Sequence, residues 1–129
     1  SAASDVYKRQ VELLNSTRML IEKGYNIYST AGTAKFFKEN GIDTQILYWP
    51  DEDKEPNIME YLHDRRIDLV INIPKNHTKR ELDNGYKIRR AAVDYNIPLI
   101  TNARLASAFI YAICKVDPSE IAIKSWDEY

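Results

Sequence analysis

The segment Ile67-Asp68-Leu69-Val70-Ile71-Asn72-Ile73 constrains the fold more than any other in the chain. Its near-continuous branched apolar character suits a strand covered on both faces, as in a parallel sheet between helical layers. Pro74 lacks the N–H that a central ladder needs, so this strand must stop at Asn72 or Ile73. Parallel strands need long crossover connections, usually helices. The rest of the chain supplies them.

Val11, Leu14, Met19, Leu20 and Ile21 share a helical face that Gly24 ends. Residues 25–29 read as a strand, 34–39 as a helix closed by Asn40-Gly41, and 44–48 as a second strand ended by Trp49-Pro50. Ile58, Tyr61 and Leu62 mark a third helix closing at Arg65-Arg66. Residues 75–85 are expected to form a long polar loop, 86–95 a helix ended by Asn96, and 98–101 a strand. Leu105, Ala108, Phe109, Ala112 and Ile113 space a final helix, broken by Asp117-Pro118, and residues 121–123 read as a short terminal strand. The expected class is α/β: a three-layer α/β/α domain around a mostly parallel sheet of about four to five strands. With 129 residues, one domain is expected over 11–129, while residues 1–10 lack the pattern and read as a non-native segment.

Composition narrows function by exclusion. A formal charge of -1 argues against a dedicated nucleic-acid binder. One cysteine and two histidines leave no internal disulfide and no visible metal-ligand cluster. Cys114, in an apolar helical run, reads as a packed thiol. No apolar run reaches the ~18 residues of a membrane span, so no membrane partner is expected. Without a signal peptide, the expected location is cytoplasmic, or an organelle if the chain is a mature form.

Ligands of parallel α/β sheets sit at the carboxyl ends of the strands. Tyr28-Ser29-Thr30-Ala31-Gly32-Thr33-Ala34-Lys35 turns from strand into helix there. Its amides, the helix dipole and the hydroxyls of Thr30 and Thr33 suit an anionic group. Equally, Ser29 and Thr30 could cap the helix while Gly32 eases the turn, and the pattern leaves both readings open. Trp49, after the second strand, offers a flat apolar wall. Asn72 ends the third strand, with Lys75, Asn76 and Asn84 in the loop beyond, and Thr101 and Asn102 follow the last. The candidate binding set is Thr30, Gly32, Thr33, Trp49, Asn72, Lys75, Asn76 and Asn84. Lys79 and Arg80 read as a solvated loop, His63 as an exposed helix residue, and His77 as a bystander. At least one of Arg89 and Arg90 is expected to pair with Asp68 or Asp94. No nucleophile stands beside a base and an orienting group, so no catalytic residue and no metal site are assigned. The residues favour binding a small anion over transforming it.

The runs Tyr28-Ser29-Thr30-Ala31-Gly32-Thr33-Ala34, Asp68-Leu69-Val70-Ile71-Asn72, Tyr86-Lys87-Ile88-Arg89-Arg90-Ala91-Ala92 and Ile97-Pro98-Leu99-Ile100-Thr101-Asn102 carry a family resemblance. In order and spacing they resemble the methylglyoxal-synthase-like (MGS-like) fold, a flavodoxin- or Rossmann-like arrangement. The resemblance is strongest to the C-terminal allosteric domain of carbamoyl-phosphate synthetase large chains. It implies a parent ligase that makes carbamoyl phosphate from bicarbonate and glutamine or ammonia, using ATP with Mg or Mn. The domain itself is then a cofactor-free, non-catalytic binder of N-acetylglutamate, UMP or IMP, in arginine or pyrimidine biosynthesis. Its implied partners are the catalytic domains of the same large chain, a glutaminase small subunit and a second copy in a homo-oligomer. A urea-cycle parent would place it in mitochondria.

Acetylglutamate-binding members resemble this chain at Trp49-Pro50, Thr30, Thr33, Asn72 and Asn84, but have an asparagine where Lys75 stands. Nucleotide-binding members have a lysine at the place of Trp49. The family's strand before the first helix has no counterpart in residues 1–10, and Gln10 replaces a basic residue. A missing strand and an exposed sheet edge are therefore expected. Methylglyoxal synthase is the enzyme alternative, acting on dihydroxyacetone phosphate. Its Gly-Gly-Asp-Gln segment has no counterpart after Trp49, and Asn84 lies about where one of its acidic residues falls. An oligomerisation module without a ligand is the third reading.

Overall fold

The computed structural model describes residues 2–73 and 78–115. In chain order the elements are α1 (Ala2–Glu22), β1 (Tyr28–Ser29), α2 (Ala31–Glu39), β2 (Gln45–Ile46), α3 (Ile58–His63), β3 (Val70–Ile71), α4 (Lys79–Asp94), β4 (Leu99–Ile100) and α5 (Ala103–Lys115). The alternation read from the sequence is the one that forms. Gly24 (φ 88°), Gly41 (φ 77°) and Asn96 (φ 58°) end their helices in the left-handed conformation that glycine and asparagine tolerate best.

Both strand pairings are parallel. Tyr28 and Ser29 lie opposite Gln45 and Ile46, and Val70 and Ile71 lie opposite Leu99 and Ile100. The strands divide into two ladders, β1-β2 and β3-β4, in place of the single sheet expected. The physical reason lies at the start of the chain. Residues 2–22 are one helix, so among the described residues no extra strand bridges the ladders. The expected helix from Val11 thus reaches back to Ala2, and the expected strand at 121–123 lies outside the described residues.

Each ladder has its own apolar core. Leu14 of α1, Phe37 of α2 and Ile42 are buried together, with Leu13 and Phe36 against them. Leu62, Val70, Ile88, Ala91, Ala92 and Ile97 form the second core, binding α3 and α4 to β3. Ile88, Ala91 and Ala92 face inward because their spacing follows the helical repeat. Between the ladders, α1 packs along α5, which itself packs on β4, and Cys114 of α5 is buried.

Two further helix starts differ from the sequence expectation. Helix α2 begins at Ala31, which puts Gly32 and Thr33 in its first turn. Helix α4 begins at Lys79, within the stretch expected as a loop, so Asn84 and Gly85 are helical. The cause is an N-cap: the Thr78 side chain accepts the Glu81 N–H at 3.3 Å, in a Thr-x-x-Glu sequence that favours a helix start. Arg90 pairs with Asp94 at 3.3 Å, one of the two partners anticipated, and His63 is exposed. Among the described residues no helix is long and apolar enough to cross a membrane, and no group of three metal-ligating side chains occurs.

Candidate functional site

Thr30 is the N-cap of α2, with extended backbone (φ -68°, ψ 162°), yet its side chain makes no cap hydrogen bond. Its hydroxyl instead donates to Thr33 Oγ1 at 3.2 Å. The first helical bond runs from the Ala34 N–H to Thr30 O, 2.8 Å, leaving the earlier amides of this turn outside the helical ladder. Ser29 is committed elsewhere: its hydroxyl shares a 2.6 Å hydrogen bond with Thr44 Oγ1 beside the β1-β2 ladder. A Cβ built on Gly32 meets nothing within 4 Å, and its φ is not positive. Side-chain capping is therefore not what these residues do. The half-buried Thr30 and Thr33 hydroxyls bond each other, and open space lies beside the exposed Gly32.

The chain after β2 is fastened by Asn57. Its amide donates to Trp49 O (2.9 Å) and Glu52 O (3.1 Å), while its Oδ1 accepts the Met59 N–H that starts α3. This loop leans on α4. The Asp51 N–H donates to Asn84 Oδ1 at 3.2 Å, and Arg80 holds the Asp51 carboxylate through two bonds, Nε to Oδ2 at 2.6 Å and Nη2 to Oδ1 at 3.1 Å. Glu52 lies 3.7 Å from the same guanidinium, which rests 4.8 Å from the Trp49 ring centroid. The hydrogen bond from Arg80 holds the Asp51 carboxyl below its ordinary range, and the same contact raises Arg80.

Asn84 is 2% exposed, and among the described residues its amide nitrogen has no partner at full hydrogen-bond geometry, although the side chain lies close enough to the Asp51 carboxylate to help lower that group. A buried donor short of a well-aligned acceptor is costly and uncommon, which marks a place where an acceptor from outside would be welcome. Asn84 lines a cleft of about 410 Å³ together with Asp51, Lys79, Arg80, Asp83 and Lys87. Asn72, at the end of β3, accepts from Arg89 Nη1 at 3.0 Å. Gly85 sits between these groups: a Cβ there would stand 2.9 Å from Arg89 Nη1 and 3.5 Å from Asn72 Oδ1.

That geometry makes a prediction. In Gly85→Ala the Arg89 tip swings away, since it is the flexible partner, and Asn72 loses its donor. Stability is expected to stay within about 1 kcal/mol of the parent, because alanine favours helix over glycine by a similar amount. The measurement is the side-chain amide resonance of Asn72. An unchanged resonance would show that Arg89 does not hold this residue.

The structure thus joins Trp49 and Asn84 through Asp51 and Arg80, with Asn72 beside the next residue of α4. Thr30, Gly32 and Thr33 form a separate cradle. Among the described residues no hydrogen bond or ring contact ties that cradle to Trp49, Asn72 or Asn84. Lys75, Asn76 and His77 lie outside the described residues. Sequence reasoning missed Asp51, Arg80 and Arg89 as site residues. The Thr-x-x-Glu sequence of Thr78–Glu81 was the available signal, because a helix starting there sets Arg80, Asn84 and Lys87 along one face. Around Asn84 the lining is mixed: Lys79, Arg80 and Lys87 stand with Asp51 and Asp83, a net positive set that can attract an anion.

The family model described as "MGS-like domain" matches residues 12–101. The chain is 40% identical over 116 residues to "Multifunctional protein ura1" of Schizosaccharomyces pombe, covering 84% of this chain and 5% of that protein. It is 39% identical over 105 residues to the "Carbamoyl phosphate synthase large chain" of Thermoplasma acidophilum, covering 81% and 10% respectively. Against the "Carbamoyl phosphate synthase large chain, C-terminal section" of Methanocaldococcus jannaschii it is 38% identical over 116 residues, covering 90% and 18%. The chain therefore spans only a small part of these relatives' length.

Proposed function

The chain belongs to the MGS-like domain family, and from that premise we propose that it is the effector-binding regulatory domain of a carbamoyl-phosphate synthetase. The parent reaction, ATP- and metal-dependent synthesis of carbamoyl phosphate, belongs in this reading to catalytic domains of the same large chain, served by a glutaminase subunit. The effector is a small anion, with N-acetylglutamate favoured over UMP and IMP. One observation supports the reading above others: Asn84, whose buried amide lacks a well-aligned acceptor among the described residues, lines a cleft with three cations and two carboxylates, next to the Arg80–Trp49 contact. Thr30, Thr33 and the first-turn amides of α2 hold the effector's anionic group, and Trp49, Asn72 and Asn84 receive the remainder. Lys75 and Asn76 complete the set by sequence. The domain acts by binding two states of its parent with different affinity, and the regulatory effect equals that difference.

Titration calorimetry with N-acetylglutamate, UMP and IMP tests this. N-acetylglutamate is expected to bind, and Trp49→Ala to weaken it roughly tenfold by removing the aromatic wall. Tight UMP binding that ignores Trp49→Ala would overturn the preferred effector. Methylglyoxal formed from dihydroxyacetone phosphate would overturn the non-catalytic reading. Self-association with indifference to every anion would point to an oligomerisation module instead.

A further inference from the structure

The contact between Arg80 and Trp49 has no assigned purpose in the reading above. Arg80 is gripped side-on by a carboxylate, that of Asp51, in the two-bond geometry by which a guanidinium recognises a carboxylate. Its other face covers the indole of Trp49. The pair is solvent-facing, with the Arg80 side chain 57% exposed, so water and ions can compete for it. Asn84 lines the same cleft, its oxygen taken by the Asp51 N–H and its nitrogen, among the described residues, without a well-aligned acceptor. A carboxylate-bearing molecule entering the cleft thus finds a fork already shaped for its carboxylate and resting on a flat ring, with the Asn84 amide, weakly engaged, among the lining groups.

We propose that Arg80 is the specificity-determining residue of this site: its guanidinium exchanges the internal carboxylate of Asp51 for a carboxylate of an acylated dicarboxylic amino acid lying against Trp49. The inference rests on the effector-binding reading and deepens it. Asp51 acts as a placeholder, keeping Arg80 over the ring while the cleft is empty of ligand. Glu52, 3.7 Å from the guanidinium, holds the arginine near the ring during the exchange. The Asn84 amide donates to the ligand's amide carbonyl, which satisfies the buried donor. A planar fork favours a planar carboxylate, whereas a phosphate would be held equally well by Lys79 and Lys87 as point charges.

The test is titration calorimetry of the whole chain with N-acetylglutamate, comparing the parent with Asp51→Asn, Arg80→Gln and Arg80→Lys. Removing the internal competitor in Asp51→Asn is expected to tighten binding several-fold. Arg80→Gln is expected to weaken it roughly tenfold, and Arg80→Lys to recover only part of the loss. Opposite signs for the two partners of one ion pair are the signature of competition. A purely structural pair would lose affinity in both variants, and that result overturns the proposal. Binding by the parent with all three variants unchanged overturns it too, while leaving the regulatory reading standing. No binding of N-acetylglutamate, UMP or IMP by the parent overturns both. Circular dichroism of each variant separates misfolding from altered affinity. Should Asp51→Asn misfold, competition by free acetate against N-acetylglutamate in the parent tests the same exchange. Acetate that weakens N-acetylglutamate in the parent but not in Arg80→Gln supports the exchange, and equal weakening in both overturns it.

Discussion

Replacing Leu62 with alanine is expected to cost about 2–5 kcal/mol of unfolding free energy. Leu62 has 0% exposure and is the largest fully buried side chain among the described residues. It sits where α3 meets α4, against Val70, Ile88, Ala91, Ala92 and Ile97. Truncation removes several methyl and methylene groups and leaves a cavity. Ala91 and Ala92 line it with almost no side chain to move, and Val70 and Ile97 are anchored by backbone bonds on either side of the ladder. Relaxation is therefore poor, which pushes the cost toward the upper half of the range. Domains of this size have roughly 5–15 kcal/mol in total, so the variant gives up a large part of its stability. Urea denaturation is the measurement. The midpoint should fall with the slope unchanged, and a loss below about 1 kcal/mol would mean that α3 is not packed as described.

Asn84→Asp is expected to be nearly as damaging at neutral pH, by roughly 3 kcal/mol. The change is isosteric, so packing is untouched, and the effect isolates charge. The new carboxylate would be buried at a position that is 2% exposed, close to Asp51, whose own carboxyl the Arg80 bond keeps ionised. Burial and the neighbouring negative charge both raise its folded pKa above the unfolded value of about 4. The sign follows. Below the unfolded pKa the group is neutral in both states and carries no charge penalty. The penalty grows as pH rises between the unfolded and folded values. The stability gap between parent and variant should therefore be small near pH 4 and full by about pH 7.5. A gap independent of pH would show that Lys79, Lys87 or Arg80 turns to neutralise the new charge.

Much of the fold is legible in local sequence because local physics decides it. Gly24, Gly41 and Asn96 end helices where left-handed backbone is needed, and apolar spacing locates each crossover helix. The beginning of α4 escapes notice because Lys79-Arg80-Glu81-Leu82-Asp83 has no apolar period to count. Its helix is set by a cap, and it is mostly solvent-facing. The bond between Arg80 and Asp51 spans 29 positions, and no neighbouring pattern announces it. Trp49 and Asn72 are recognisable by residue type after strands, and Asn84 by family resemblance. That the buried Asn84 amide lacks a well-aligned acceptor among the described residues depends on how the loop after β2 settles on a helix.

The division into two ladders has a mechanical consequence. In a continuous sheet, backbone hydrogen bonds lock every strand to its neighbour, and bound molecules merely decorate a rigid slab. Here the described backbone offers no such lock between β1 and β3. The joint is instead made by the packing of α1 along α5 and by side chains: Tyr28 against Tyr61, the Asp51 N–H on Asn84, and Arg80 reaching from α4 to Asp51 and Trp49. Several of these groups also face the cleft. A molecule that takes over one of them touches the fastening of the two halves directly. Occupancy of the cleft would be felt through the body as a change in how tightly that seam is drawn.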